Sequence, residues 1–229
     1  MSISYNKSMM LKCNNYIIGW TPKAGCTVTC KIWFEYMGEL NYAMNKHEWI
    51  HNSRPYYYKK YGNVTNKHLI SNKYIKIKYV RNPYTRAVSS YIHSMKTGIK
   101  KKYLNDSNMS FHTFLLNLKN NKFKPNYHYS YQITEFELNH NFDEVIKIEH
   151  LKRETTRLNK LYRLSLKNNF DSKHHVKKNH KETKFVGDTL FSEIKDIPEY
   201  KYFYNDEIRR LVKELYNLDI VKYNYKYPF

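Results

Sequence analysis

Apolar positions change spacing repeatedly along the chain, and the changes mark its elements. Asn15-Tyr-Ile-Ile-Gly-Trp20 is a short β-prone run. Thr21 to Gly25 reads as a turn, and Cys26 to Leu40 places Val28, Ile32, Trp33, Tyr36, Met37 and Leu40 at helical spacing. Residues 41–72 are polar and aromatic without a clear period, which reads as loops with short helices. Tyr74 to Val80 is a second strand. Asn82 and Pro83 suit the cap and first position of a helix running to Lys96. Phe111 to Leu118 reads as a short helix, Phe142 to Glu149 as a third strand and Leu151 to Leu166 as a helix. Asn205 to Leu218 carries the clearest amphipathic stripe: Ile208, Leu211, Val212, Leu215 and Leu218. Strands alternating with helices predict an α/β fold with a central parallel sheet flanked by helices. Lys76, Lys78 and Lys147 resist, because a doubly covered sheet prefers apolar runs. Either one face is partly open or these lysines reach past the helices.

At 229 residues with 41% hydrophobic content, the chain can bury a real core, and it reads as one domain over 1–229. Residues 1–14 read as a flexible N-terminal extension. Neither a signal-peptide core nor an apolar run of roughly 18–20 residues is present, so no transmembrane segment is expected. The odd set Cys13, Cys26 and Cys30 contains no C-x-x-C pair, which points to a reducing, cytoplasmic setting. A net charge of +20 favours anionic partners without choosing among them. With 32 Lys, 25 Asn and 24 Tyr, AT-rich coding accounts for part of that charge.

Two strand-to-helix loops carry candidate chemistry. In Thr21-Pro-Lys-Ala-Gly-Cys-Thr-Val28, a helix start offers unpaired amides, Gly25 allows close approach, Lys23 adds charge and Thr27 a hydroxyl. It is not a Walker A loop, since Cys26 holds the place of the lysine that must follow the second glycine. In Val80-Arg-Asn-Pro-Tyr-Thr-Arg-Ala-Val-Ser-Ser90, Arg81 leaves a strand at its carboxyl end, where open α/β sheets bind ligands, and Ser89 lies two turns into the next helix. Arginine and serine there suit a second phosphate.

Pro22-Lys-Ala-Gly-Cys-Thr27 resembles the 5′-phosphosulfate loop of sulfotransferases that use 3′-phosphoadenosine 5′-phosphosulfate (PAPS), and Arg81 to Ser89 resembles their 3′-phosphate motif. The P-K-x-G-C-T form is similar to the carbohydrate sulfotransferases of the chondroitin 4-O type. His128-Tyr-Ser-Tyr-Gln132, Phe142 to Glu149, and Tyr204 to Asp219 resemble later segments of that family, so the likeness covers roughly residues 16–223. It departs in lacking the membrane anchor and paired cysteines of Golgi members.

The resemblance implies a three-layer P-loop-like fold. It also implies an enzyme moving a sulfuryl group from PAPS to a hydroxyl of a carbohydrate acceptor, leaving 3′-phosphoadenosine 5′-phosphate (PAP). Pro22, Lys23, Ala24, Gly25, Cys26, Thr27 and Val28 would hold the 5′-phosphosulfate, with Lys23 catalytic; Arg81 and Ser89 would hold the 3′-phosphate. No metal is expected. The general base is left among His47, Glu48, His51, His68 and His128, with His68 favoured because Val64 to Ile70 reads as a strand ending near the catalytic edge. His128 suits acceptor binding. His174, His175 and His180 read as a solvated loop, with Lys173, Lys177 and Lys178 available to an anion. The alternatives are a basic nucleic-acid-binding module, without a recognised motif, and a P-loop-like kinase, weakened by the missing Walker lysine.

Overall fold

The computed structural model describes residues 9–46, 50–97, 108–167 and 184–229. Among these, the chain forms two compact units: residues 9–81 with 134–167, and residues 82–133 with 184–229. The stretch expected as a single domain is thus built around two hydrophobic cores.

The first unit holds a four-stranded sheet, β1 (Met9–Cys13), β2 (Tyr16–Trp20), β3 (Ile75–Val80) and β4 (Glu144–Lys147), in the order β1-β2-β3-β4. β2, β3 and β4 are parallel, as the alternating pattern predicts. β1 is an antiparallel edge strand joined to β2 by a tight turn at Asn14 and Asn15. Residues 9–13 are therefore part of the sheet, with Leu11 and Cys13 fully buried, and not part of an extension. The sheet is mixed for the same reason.

Helices α1 (Cys26–Tyr36), α2 (Leu40–Lys46), α3 (Arg54–Tyr61) and α4 (Asn66–Ile70) lie between β2 and β3. The helix expected to run to Leu40 stops at Tyr36; Gly38 and Glu39 close its end by bonding back to Glu35 and Phe34 carbonyls. α1 buries Ile32, Trp33 and Phe34, and the Trp33 indole donates to the Tyr79 hydroxyl on β3 at 3.1 Å. Gly19 lets the Phe142 ring pack closely on β2, since a Cβ there would meet it at 3.2 Å.

Two of the three strand lysines are buried against carboxylates. Lys78 is fully buried and paired with Glu137, while Lys76 bonds Asp143 at 3.2 Å. Glu137 belongs to the short α6 (Phe136–Asn139), where it also accepts from the Thr134 amide and hydroxyl, so its charge is met by three donors. After β4, a 3-10 turn over Ile148–His150 leads into α7 (Leu151–Tyr162), which ends before the expected Leu166 as Arg163 turns left-handed.

The second unit is helical. Its principal elements are α8 (Pro83–Lys96), α9 (Phe111–Lys119), α10 (Asp206–Leu215) and α11 (Asn217–Lys222), which share their own core. Each of the first three is closed by a polar cap: Asn82 accepts from the Tyr84 amide, Ser110 from Thr113 and Asn205 from Ile208. The amphipathic run to Leu218 bends at Tyr216 into two helices. The core is aromatic, with Tyr84, Tyr91, Phe111, Phe114, Phe203, Tyr204 and Tyr216. No helix among the described residues is long and apolar enough to cross a membrane.

Candidate active site

Because β2 and β3 are parallel neighbours, Trp20 beside Tyr79, the segments leaving them emerge at one sheet edge. The turn after β2 has an uncommon backbone. Lys23 and Gly25 both have positive φ, 67° and 78°. For lysine that conformation is costly, and the fold maintains it. A side chain at Gly25 would be strained and would bring its Cβ to 3.0 Å from Ile148. The turn closes with the Ala24 amide on the Thr21 carbonyl, and α1 begins with the Thr29 amide on Gly25. Amides at Cys26, Thr27 and Val28 thus precede the first intrahelical bond. No side chain caps this helix end, and its first turn holds no acidic residue.

Arg81 leaves β3 and its guanidinium donates to the Lys23 carbonyl at 3.2 Å. The two loops singled out in the sequence therefore meet. Ser89 lies half-buried on α8 in the helical unit. The second arginine of its motif, Arg86, is buried and donates to the Ser130 and Tyr127 carbonyls, which anchors the segment before His128 and after it.

The candidate bases separate. His51, in a 3-10 turn over Ile50–Ser53, has Nε2 3.2 Å from the Thr27 hydroxyl, in the first turn of α1. His68 does not approach that edge. Val64 to Ile70 is not a strand: residues 66–70 form α4, and His68 accepts the Thr65 amide at 3.0 Å in a capping box. Its ring packs edge-on against Tyr74, which precedes β3, so it sits at the amino end of the strand that Arg81 leaves at the carboxyl end. The expected strand ending near the catalytic edge, the reason for favouring His68, is corrected on that ground. His128, in the helical unit, bonds Asn126 at 2.8 Å and packs its ring against His93. His47, Glu48 and the basic loop with Lys173, His174, His175, Lys177, Lys178 and His180 lie outside the described residues.

The sequence reading missed Arg54. It opens α3, donates to the His51 carbonyl at 3.2 Å and touches the Met9 thioether. Its signal was Ser53-Arg54-Pro55, a cap-like residue and a proline at a helix start. Burial pushes the Cys13 thiol up to about 12 and also raises Cys26 and Cys30, against weaker lowering effects of Lys23 and Arg54 on Cys26 and of Arg54 on Cys30. Among the described residues no cluster of His, Cys, Asp and Glu has metal-site geometry.

An α/β sheet whose parallel strands end at an uncapped helix start braced by an arginine has the backbone donors an anion needs. The chain belongs to the sulfotransferase family, whose model matches residues 8–226. No curated protein and no solved structure matches it. Sulfuryl transfer is accordingly its class of activity, and neither the nucleic-acid-binding nor the kinase alternative is favoured.

Proposed function

We propose that the protein transfers the sulfuryl group of PAPS to a hydroxyl of a carbohydrate acceptor, on a P-loop-like core. The observation that carries this reading is the hydrogen bond from Arg81 to the Lys23 carbonyl, which joins the two motifs resembling the cofactor loops.

In the reaction, the acceptor oxygen forms a bond to sulfur as the bond from sulfur to the bridging phosphate oxygen breaks. PAP leaves, and the hydroxyl proton goes to a base and then to water. Charge grows on the leaving phosphate and spreads over the sulfuryl oxygens, so positioned positive groups carry most of the catalysis. Lys23 serves the bridging oxygen. The amides from Gly25 to Val28, with the Thr27 hydroxyl, take the 5′-phosphate, and Pro22 and Ala24 shape the turn. Arg81 and Ser89 are assigned to the 3′-phosphate by resemblance. His51 replaces His68 as the base, because its contact with Thr27 sets the imidazole beside the phosphosulfate cradle. His128 is retained for acceptor binding.

Transfer of radiolabelled sulfate from PAPS to saccharide acceptors tests this. Label is expected in the saccharide, unaffected by chelator, and lost in Lys23→Met. Magnesium-dependent ATP turnover without sulfate transfer would overturn it.

A further inference from the structure

Within the helical unit, contacts converge on His128. The carbonyls of Tyr127 and Ser130, before and after it, take the buried Arg86 guanidinium, and its own carbonyl accepts from the Ser90 hydroxyl. Arg86 and Ser90 stand on α8, and so does His93, whose ring centroid lies 4.4 Å from that of the His128 imidazole, the planes 31° apart. Further along, the Gln132 and Ile133 amides end on the buried Asp219 carboxylate. These contacts fix the backbone on both sides of His128 and the plane of its ring.

One more contact sets which ring nitrogen carries a proton. The Asn126 side-chain oxygen Oδ1 lies 2.9 Å from the His128 backbone nitrogen and 2.8 Å from its Nδ1. A backbone amide can only donate, so the carboxamide group facing it is the oxygen and not the nitrogen. That oxygen has no proton to give to Nδ1, so Nδ1–H is the donor of the second bond. Both lone pairs of Oδ1 are then used. In the neutral ring the acceptor lone pair falls on the other nitrogen, Nε2.

The turn itself does not need this arrangement. It closes through the His128 amide on Oδ1 and through the Asn126 carbonyl, which accepts the Ser130 amide and hydroxyl. A serine hydroxyl can serve such a turn in place of an asparagine side chain. The bond to the ring is the part that requires the longer side chain.

We propose that Asn126 is a positioning residue for acceptor binding: it holds His128 in the Nδ1-protonated tautomer, so that Nε2 accepts a hydrogen bond from a hydroxyl of the bound saccharide. This rests on the sulfotransferase reading and on His128 meeting the acceptor, and it adds the direction of that hydrogen bond. The opposite tautomer would present a donor at Nε2 and leave the hydroxyl proton without a partner. His51 keeps the role of base, and no proton leaves the hydroxyl that His128 holds.

The test has a spectroscopic arm and a kinetic arm, both on the full chain. Histidine nitrogen NMR spectra of the PAP complex at mildly alkaline pH, with the His128 signals assigned by their loss in His128→Gln, are expected to show a proton on Nδ1 and none on Nε2. Transfer from PAPS to unsulfated chondroitin is expected to show KM raised about three- to tenfold in Asn126→Ser, with kcat and PAP affinity within about twofold of wild type. In a His128→Gln background, where the glutamine oxygen also accepts, adding Asn126→Ser is expected to change KM by less than about twofold. An Asn126 that only built the turn would show the same change in both backgrounds, and that result would overturn the proposal. A proton on Nε2 in the wild type, an unchanged KM in Asn126→Ser, or PAP binding without any transfer to chondroitin would overturn it as well. Failure of the wild type to bind PAP would instead overturn the sulfotransferase reading on which it rests.

Discussion

The sheet unit and the helical unit bury polarity in different ways. Inside the sheet unit stands an ion pair, Lys78 on β3 with Glu137, both fully shielded. Inside the helical unit tyrosine hydroxyls donate to distant carbonyls, Tyr204 to Tyr84, Tyr91 to Met109 and Tyr216 to Tyr129, and the buried Arg86 donates to the Ser130 and Tyr127 carbonyls. Among the described residues its fully buried carboxylate, Asp219, takes the backbone amides of Gln132 and Ile133. A phenol can be buried for one hydrogen bond, whereas a charge must be met in full. The unit that presents the Lys23 turn therefore meets a buried lysine with an opposite charge, and the unit that presents Ser89 and His128 surrounds its buried Arg86 and Asp219 with backbone groups and adds tyrosine hydroxyl bonds.

Substitutions can break that contrast. The largest effect is expected at Lys78→Met, which strands Glu137 and should cost about 3–5 kcal/mol, read as a large fall in denaturant midpoint. Replacing both partners by apolar residues should recover much of that loss; a double variant as unstable as the single one would show that the pair is not what matters. Next comes Lys23→Ala, expected to lower kcat by about 10²–10³ with the fold intact, measured by steady-state transfer. His51→Ala should cost roughly 10² or more, with the alkaline-side rise in rate lost, whereas His68→Ala should leave kcat near wild type. Equal losses at the two histidines would remove the reason for preferring His51. In the helical unit Tyr204→Phe and Asn82→Ala should each cost only about 1 kcal/mol by chemical denaturation.

The pH response is the finest of these effects. Burial raises the Cys13 thiol from 9.0 to about 12. A folded-state pKa above the unfolded value means that the associated stability is complete below about pH 9 and is lost as pH rises toward 12. Buried Tyr91, Tyr204 and Tyr216, likewise raised by burial, push in the same direction. Denaturation midpoints should therefore fall on the alkaline side in both units, and Cys13→Ser should reduce the fall contributed by the sheet unit.

The sequence disclosed what local periodicity can encode. β2, β3 and the long α8 follow from apolar spacing plus the Asn82-Pro83 start, and the two candidate loops follow because both interrupt a strand-to-helix passage. β1 was hidden because Met9 to Cys13 is short, although Asn14-Asn15 between two apolar runs is a hairpin signal. The helix at residues 66–70 was hidden because Val64 to Ile70 mixes β-branched and polar residues, yet Thr65 three places before His68 is the spacing of a cap. Arg54 and His51 lie where aromatic and basic residues alternate without a period, so only tertiary packing brings them to the sheet edge. The Lys78–Glu137 pair links positions far apart in the chain, which no local pattern records.

The most direct test of the central claim is a calorimetric titration with PAP and with ADP. The expected result is tighter binding of PAP by about tenfold or more, with the preference lost in Arg81→Ala. Equal affinity for the two nucleotides in the wild-type protein would contradict it.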